Sequence, residues 1–521
     1  MYLFETLALD LAATWIRLFI TLAVSIVFAI VVGISAAKNR TAERVLLPFL
    51  DLGQTIPILG FFPVAIYLIV SVVPGPVGIN FAVIFLLFTS MAWNIAFGVY
   101  ESVKAIPEDL LEATELQMLG RWRKLWTLYI PASMPRIAYQ SAISWSIGLF
   151  YLVTSEIFST GSQLFSVKYG LGVVIAQLSL NTNPYVYAEV LVMFIAAILL
   201  TRFLFLSPLR EYSERFSFKE VEVVRRSRAL VFYSRVHMVL RKLFPPVELP
   251  KLHIGRHRYR HAPAKPLPPA GRGGSVIVPF IIILSVLLVA SYVVASGAAG
   301  EVPVVFAALA VSFLRVWGVY IVCAAIALPL GIMIAKSTRA YEPASSALQV
   351  LSAIPAPIVF PIIVVLVYRL PGGGEIAALV IIFIAEIWYV LFSVIAGMRT
   401  IPDQLLELKR MMRLKWYQAW KQIYVPAVLP AFATGSITAI GGAWNSLIIA
   451  EYFASQTSGQ VITQVGTGIG KVLDIAVFAG NFPLMVLALA SMTAMVVLIN
   501  RVVWQRIYNR VTERYKITVQ E

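Results

Sequence analysis

The sequence predicts an all-α, polytopic membrane protein whose two halves are copies of each other. Composition, long apolar runs and an internal repeat each support this prediction. The chain has 521 residues, of which 60% are hydrophobic and 13% are charged, whereas a soluble chain is nearer half apolar and a quarter charged. Because the apolar runs lack the alternation of barrel strands, α-helices are the elements that satisfy their backbone in lipid.

The apolar runs divide the chain into membrane spans and domains. Eleven runs of about 18 residues or more lie near 8–37, 54–73, 80–99, 138–158, 185–207, 276–297, 303–335, 350–368, 376–397, 433–453 and 478–501. We predict a first five-span domain at 1–207, a basic linker at 208–275, a connecting span at 276–297 and a second five-span domain at 298–521. The connecting span lets the second domain begin on the same side of the membrane as the first.

Basic residues gather on one side of the predicted spans. Lys38, Arg123 and Lys336 follow spans one, three and seven, and 208–275 holds 15 basic and 5 acidic residues. By the positive-inside rule these segments are cytoplasmic, which places the amino terminus outside and the carboxyl terminus inside the cell membrane. The net charge of +16 follows this membrane pattern and does not indicate nucleic-acid binding. The linker is expected to contact anionic lipid headgroups.

The two halves repeat each other in a fixed register. Ile56-Pro57 and Ile354-Pro355 lie 298 residues apart, and Glu156 and Glu451 lie 295 residues apart, each among neighbours that match as well. Such a register indicates a tandem duplication. Because both halves have the same predicted spans and orientation, the repeat is parallel, with an axis along the membrane normal.

Two arginine–lysine pairs bracket the first span of each half. Arg17 and Lys38 are 21 residues apart, as are Arg315 and Lys336, and 21 helical residues cover ~32 Å, about the thickness of the hydrocarbon core. We interpret all four as anchors whose charged ends reach the membrane surfaces.

Two long connecting segments, at 101–136 and 399–430, stand out between spans three and four of each half. Each contains Ile-Pro followed by an amphipathic stretch, and in the first segment acidic residues precede basic ones, as in a helix that begins at the proline. Simple connections need two to eight residues. A patterned segment of this length, present twice, predicts a short surface helix that binds a partner.

These segments carry a family resemblance. Glu112-Ala113-Thr114 lies nineteen residues before Pro131, and Glu407-Leu408-Lys409 lies nineteen residues before Pro426. The pattern resembles the coupling loop of ABC importer permeases, so we name 101–136 and 399–430 the first and second coupling segments. Gly170-Leu171-Gly172 and Gly468-Ile469-Gly470 are similar to the nitrate/sulfonate/taurine branch. The resemblance covers nearly all of the chain except 208–300 and implies a tandem-duplicated type I importer transmembrane domain.

The resemblance implies a role for four residues of the coupling segments. In the family, the helix of this loop seats on a cytoplasmic ATPase and transmits its closure. Glu112, Ala113, Glu407 and Leu408 match that helix and would couple this chain to an ATPase.

The turn after each coupling helix departs from the family pattern. Met118 and Arg413 stand where the pattern has glycine, and Gly120, which we include among the coupling residues, comes two positions late. The sequence alone therefore does not establish that the turn between the two coupling helices forms. Leu408-Lys409 also replaces a small pair, which predicts unequal docking of the two halves.

Partners and cofactors follow from the same resemblance. It implies two cytoplasmic ABC ATPase subunits, which bind ATP and magnesium, and an extracytoplasmic solute-binding protein. We expect no catalytic residue and no cofactor in this chain: its nearest match to a phosphate-binding loop, at 466–472, lacks the spacing and the hydroxyl. His253, His257 and His261 recur every four residues, but the string is broken by glycine and strongly cationic, so we predict no metal site there.

Acids and tryptophans within spans are the remaining candidates for function. A buried membrane acid is a functional hypothesis by default, although it also serves as a packing group between helices. Both interpretations stay open for the translocation-pathway candidates Glu156, Glu386, Glu451, Trp93, Trp388 and Trp444. Glu386 breaks the repeat, since Met91 holds the matching position.

Other functional classes fit less well. A secondary transporter or channel driven by an ion gradient is the alternative, but it needs no paired coupling segments and more intramembrane charges. A membrane scaffold explains neither the repeat nor the segments. The sequence does not identify the solute, and the family suggests a small oxyanion or organic sulfonate.

Overall fold

The computed structural model describes residues 2–55, 57–160, 167–175, 184–214, 216, 288–352, 354–367, 370–456, 466–504, 506–508 and 510–511. The described residues are almost entirely helical and include no strand, which confirms the all-α fold class. Most of the predicted linker at 208–275 lies outside these residues. The predicted connecting span at 276–297 is described from 288 on, where 288–295 is helical.

The first half consists of long membrane helices joined by shorter ones. Its helices are α1 (Tyr2–Lys38), α2 (Arg40–Thr55), α3 (Ile58–Val72), α4 (Pro76–Lys104), α5 (Glu108–Leu116), α6 (Arg121–Lys124), α7 (Ile130–Thr160), α8 (Pro184–Thr201) and α9 (Ser207–Glu214). A helical turn at 171–175 lies between α7 and α8.

The second half repeats this order. Its helices are α10 (Val302–Lys336), α11 (Thr338–Ser352), α12 (Ala356–Val367), α13 (Gly373–Arg399), α14 (Asp403–Met411), α15 (Trp416–Ala419), α16 (Val425–Gln456), α17 (Ile469–Phe478) and α18 (Phe482–Ile499).

Seven helical stretches of the described chain are long and apolar enough to cross a membrane by length and composition. They are Leu7–Lys38, Pro76–Lys104, Tyr187–Ser213, Ala298–Lys336, Gly373–Arg399, Trp416–Glu451 and Phe482–Tyr508. The predicted spans at 54–73 and 350–368 correspond to the shorter helices α3 and α12, and the one at 138–158 to α7. The protein is thus a multi-pass membrane protein.

Widened helical turns repeat along with the helices. A π-helical turn at Leu125–Tyr129 precedes α7, and its counterpart at Trp420–Tyr424 precedes α16. Pro131 and Pro426 lie two residues after the ends of these π-turns. A proline ring clashes with the carbonyl four residues earlier, and in both cases that carbonyl lies in the π-turn, where the wider backbone relieves the clash.

The two halves interlock through α3 and α12. Helix α3 packs on α16, α17 and α18 of the other half, and α12 packs on α7. At the start of α3, the Leu59 N–H donates to the Asn445 side-chain oxygen at 3.2 Å. A Cβ on Gly60 would lie 2.0 Å from the Met492 methyl, so a larger residue here would require that methionine to move. In the reciprocal contact, the Tyr187 hydroxyl of the first half donates to the Ile358 carbonyl at the start of α12.

Candidate functional site

The first coupling segment forms a helix, a turn and a second helix. Helix α5 begins after Pro107 and carries two acidic residues in its first turn, where the helix dipole favours them. It ends in a turn closed by two bonds: the Met118 N–H donates to the Glu115 carbonyl at 2.9 Å, and the Leu119 N–H to the Thr114 carbonyl at 3.2 Å. The second bond spans six residues, as in a Schellman cap.

The second coupling segment has the same geometry. Helix α14 begins after Pro402. The Arg413 N–H donates to the Arg410 carbonyl at 3.2 Å, and the Leu414 N–H to the Lys409 carbonyl at 3.2 Å. Both segments therefore fold into the same helix–turn–helix unit.

The turn forms in both segments without glycine. Met118 has φ 48° and Arg413 has φ 46°, and they are the non-glycine residues with positive φ in the described chain. This left-handed conformation is the one that a helix-ending glycine normally adopts. Gly120 is not the turn residue: it is extended, with φ −63° and ψ 158°, and precedes α6. Lys415 takes the same conformation before α15.

The coupling segments expose acids and large apolar side chains together. Glu112 and Glu407 are exposed, Ala113 is half-buried, and Leu408 is 45% exposed. Large apolar side chains that are mostly exposed occur nearby in both segments, namely Leu116, Met118 and Trp122 in the first and Met411, Met412 and Trp416 in the second. A patch of this kind on a folded protein is typical of a binding surface.

A hydrogen-bonded ion pair joins helix α2 to the end of α4, next to the first coupling segment. Glu43 accepts hydrogen bonds from the Tyr100 hydroxyl and from Lys104, whose Nζ lies 3.0 Å away. Burial by itself raises the pKa of Glu43, but the hydrogen bonds from Tyr100 and Lys104 outweigh burial and leave this pKa below its usual value.

In the second half, a different kind of contact joins the matching helices α11 and α13. Tyr341 and Arg399 hold the positions of Glu43 and Lys104. The Arg399 guanidinium lies over the Tyr341 ring at 4.6 Å from its centroid, a cation–π contact in place of an ion pair. Neither contact was predicted from the sequence. The sequence does show that the residues at both repeat positions change together, from Glu43 and Lys104 to Tyr341 and Arg399.

A buried ion pair lies near the opposite end of the first half. Arg17 Nη1 donates to Glu156 Oε1 at 2.7 Å, and Arg17 Nε donates to the Asn80 side-chain oxygen at 2.9 Å. The Thr14 hydroxyl donates to Glu156 at 3.0 Å, and the Gly172 N–H at 2.9 Å. The carboxylate is fully buried and its charge is compensated from three sides.

The second half repeats this cluster with a different second acid. Arg315 Nη1 donates to Glu451 Oε1 at 2.6 Å, and its other nitrogens donate to Glu375 at 2.6 and 2.8 Å. The Ser312 hydroxyl donates to Glu451 at 2.7 Å, and the Gly470 N–H at 2.7 Å. Glu375 holds the position of Asn80, so Arg315 is paired directly with two carboxylates. In the first half the second acid is Asp10, which accepts from the Gly170 N–H at 2.8 Å and interacts electrostatically with Arg17.

The interpretation of Arg17 and Arg315 as surface anchors is wrong. Each is only 7% exposed, because its guanidinium is paired inside the helix bundle. Asn80 and Glu375, which complete the two clusters, were not recognised from the sequence. Their spacing of 295 residues, the same as that between Glu156 and Glu451, could have indicated that they belong to the two clusters.

Glycines let a loop backbone reach the buried carboxylates. A Cβ on Gly170 would lie 2.5 Å from Glu156 Cδ, and one on Gly468 would lie 2.3 Å from Glu451 Cδ, distances that real contacts do not show. The clusters thus fix the loop after α7 and after α16 to the first helix of each half. Glu156 and Glu451 lie in separate clusters, and a pathway role for them stays a prediction.

Glu386 is buried, and the Cys323 thiol supplies only a weak hydrogen-bonding contact to it. It is 0% exposed, and within the described part of the chain neither of its oxygens accepts a hydrogen bond of ordinary geometry. Its electrostatic neighbours include Cys323 and Tyr320 on α10. The side chain therefore points into the packed interior of the second half.

The three tryptophan candidates also pack against the core. Trp93 is 8% exposed and makes edge-to-face contacts with Phe28 and Phe49. Trp444 is fully buried, and Trp388 is partly buried against the same core. Their contacts are those of packing residues, and a pathway role stays a prediction for them as well.

Comparison with known families identifies both halves. The family described as "Binding-protein-dependent transport system inner membrane component" matches residues 29–208 and again 327–513. These two ranges together make up more than half of the chain. The repeat inferred from register is therefore a repeat of one family domain.

Individual relatives have names that state their transport systems. The nitrate import permease protein NrtB of Leptolyngbya laminosa is 27% identical over 195 residues, which are 37% of this chain and 65% of that protein. The putative aliphatic sulfonates transport permease protein SsuC of Bacillus subtilis is 26% identical over 152 residues, 29% of this chain and 54% of that protein. The chain thus spans less than two thirds of either relative.

A third relative extends over slightly more of both chains. The taurine transport system permease protein TauC of Escherichia coli is 24% identical over 210 residues, 40% of this chain and 70% of that protein.

Proposed function

The chain belongs to the family of binding-protein-dependent transport system inner membrane components, and from this premise we propose that it is the permease subunit of an ATP-driven ABC importer. Its two halves line one solute pathway, and separate cytoplasmic ATPase subunits dock on the two coupling segments. A solute-binding protein delivers the solute to the other face. The observation that carries the proposal is the matched helix–turn–helix unit after Pro107 and Pro402.

Two properties of that unit support a docking role. Its turn is kept although Met118 and Arg413 must adopt a conformation that disfavours side chains. Its surface exposes large apolar groups beside Glu112 and Glu407. An exposed Trp122 and a strained turn bring no benefit to an isolated loop. A groove on a partner can bury the tryptophan and bind the turn in its strained conformation.

The two docking surfaces differ in charge, which supports unequal coupling. The first, at 108–126, has three basic and four acidic residues, and the second, at 403–421, has five basic and two acidic residues. Two identical ATPase subunits would meet different fields at the two sites. We infer that the first segment, which keeps the family's Glu112-Ala113 pair, transmits more of the coupling.

The solute pathway in this proposal lies between α3 and α12 at the meeting of the halves. These helices cross from one half to the other, so a rotation of the halves about the membrane normal moves them relative to each other. Glu156 and Glu451 act on this motion by holding their loops. Because they are buried and paired, we do not assign them direct contact with the solute.

The names of the relatives suggest the class of solute. The solutes named for these permeases are nitrate, aliphatic sulfonates and taurine. Each of them is small and carries an anionic group with oxygen atoms. We propose a solute of this class, with selection by the binding protein.

Reconstitution tests the proposal. The full chain, co-expressed with an ABC ATPase from the same genome, should purify as a complex and accumulate solute in proteoliposomes only with ATP inside. Glu112→Lys and Glu407→Lys should each lower ATP-driven uptake at least tenfold or separate ATP hydrolysis from uptake, with the larger effect at Glu112. Glu301→Lys, a charge reversal at another exposed glutamate, is the matched control.

The same experiment separates the alternative of a gradient-driven transporter. Uptake that persists without ATP and collapses with a proton or sodium ionophore would identify the alternative. Normal assembly and uptake in a protein that carries both lysine substitutions would remove the coupling role.

A further inference from the structure

A cavity of about 200 Å³ lies where the end of α10 meets α15 and the π-turn that follows it. It is lined by Ile332, Met333, Lys336, Trp416, Trp420 and Tyr424. Ile332 and Tyr424 are buried and form its inner wall, whereas Met333 is 65% and Trp416 76% exposed at its mouth. The cavity is therefore apolar and aromatic, with one exposed ammonium group, that of Lys336, beside it.

Lys336 is free to bind a ligand. In the first half, the matching Lys38 lies over the Tyr129 ring, 4.7 Å from its centroid. In the second half, Lys409 takes that place on Tyr424: its Nζ lies 5.4 Å from the ring centroid and donates to the hydroxyl at 2.8 Å. Lys336 makes no hydrogen bond, ion pair or cation–π contact with any residue that the structure describes.

The matching positions of the first half carry different residues. The positions that match the aromatic and thioether lining are Ser35, Arg121 and Leu125. Basic residues also outnumber acidic ones five to two at 403–421, whereas acidic residues are in excess at 108–126. At these matching positions, the aromatic lining and the net positive charge belong to the second coupling segment.

We propose that this cavity binds one anionic phospholipid, with its phosphate on Lys336 and an acyl chain against Met333 and Trp420. Tryptophan and tyrosine prefer the depth of the headgroups, a lysine beside them reaches the phosphate, and anionic lipids collect at the cytoplasmic face. The choice of leaflet rests on the orientation in the proposed function, but the site itself does not. One such lipid per chain would lie against the second coupling segment.

Native mass spectrometry of the delipidated full chain, with the subunits that co-purify with it, tests the proposal. Titration with phosphatidylglycerol should show one molecule bound at least tenfold more tightly than phosphatidylcholine. Lys336→Gln, and Trp420→Leu, which introduces the residue of the first half, should each weaken that binding about tenfold. Lys38→Gln, the same change at the matching position, is the control and should leave it unchanged.

Several results would overturn the proposal. They are equal binding of phosphatidylcholine, an unchanged phosphatidylglycerol affinity in both Lys336→Gln and Trp420→Leu, displacement of the lipid by inorganic phosphate, or absence of the lipid from a complex that holds the ATPase. Gel filtration of each variant checks that it is folded. Because lipid counting does not depend on uptake, its failure leaves the transport proposal standing, and the converse holds as well.

Discussion

Met118 and Arg413 lie 295 residues apart and adopt the same left-handed backbone conformation, with φ angles of 48° and 46°. Each is the point at which a coupling helix ends and the chain turns into the next helix. Neither segment has glycine, the residue that suits this conformation, at this position, yet both form the turn. Local bonds at Leu119 and Leu414, together with the flanking helices, hold it against the steric preference of the side chain.

This relationship predicts that glycine stabilises the turn. A non-glycine residue in the left-handed region costs about 1 kcal/mol more than glycine, so Met118→Gly should slow amide exchange at Leu119 about fivefold, and Met118→Val, which is β-branched, should speed it. Hydrogen exchange with mass spectrometry on the purified chain measures both. Gln117→Val is the control beside the turn, because Gln117 has an ordinary φ of −77°. Faster exchange in Met118→Gly would contradict the assignment of strain.

A second prediction concerns the buried arginines. Removal of one partner of a buried ion pair costs about 3–5 kcal/mol, because the remaining charge is left unpaired. Arg17→Gln leaves the fully buried Glu156 unpaired and also removes the positive charge that acts on the buried Asp10. Arg315→Gln leaves the fully buried Glu451 unpaired together with the partly exposed Glu375. Thermal unfolding in detergent should therefore show a clear fall in Tm for both variants.

A matched control is available at the surface. Arg136 pairs with Glu101 at 3.4 Å, and both side chains are about half exposed, so Arg136→Gln should change stability by less than about 1 kcal/mol. Adding Glu451→Gln to Arg315→Gln should recover part of the lost stability. Equal Tm values for the Arg136→Gln and Arg315→Gln proteins would refute a structural role for the clusters.

The repeat made the helices predictable but not the contacts between them. Hydropathy and register depend on local sequence, so α1, α4, α13 and the other long helices follow from them. The pairing of Arg17 with Glu156 joins residues 139 apart, and their helix ends would fit surface anchoring equally well. The match between the 21-residue separation of Arg17 and Lys38 and the thickness of the bilayer favoured the anchor interpretation. In the structure, α1 packs against α7, and this packing places Arg17 beside Glu156. The turn at Met118 likewise depends on bonds that residue type does not reveal.

Orientation gives a third prediction. With Cys323 replaced by serine, a single cysteine at Ser296 should react with an impermeant maleimide from outside whole cells, and one at Gln117 only after the membrane is opened. Both residues are exposed, so access and not burial decides the result. Labelling of both from the same side would exclude the predicted topology, in which the coupling segments are cytoplasmic and the amino terminus is outside.

The last prediction concerns Glu386. A buried carboxyl whose hydrogen-bonding contact is only the weak one with the Cys323 thiol is costly in a membrane bundle. At the matching position of the first half, Met91 packs with no exposure. If Glu386 is retained for packing alone, Glu386→Met should raise Tm and leave uptake unchanged. If it serves the transport cycle, Glu386→Met should raise Tm but lower uptake severalfold, and Glu386→Gln should share the loss.

The structure favours the second outcome, because a stability cost that persists against an apolar alternative already present in the other half needs a functional reason. Met91→Leu, an apolar exchange at the matching position, is the control and should change neither quantity by much. A fall in Tm in Glu386→Met would show instead that the carboxyl makes a stabilising contact, and the residue would then belong with the packing groups of α10 and α13.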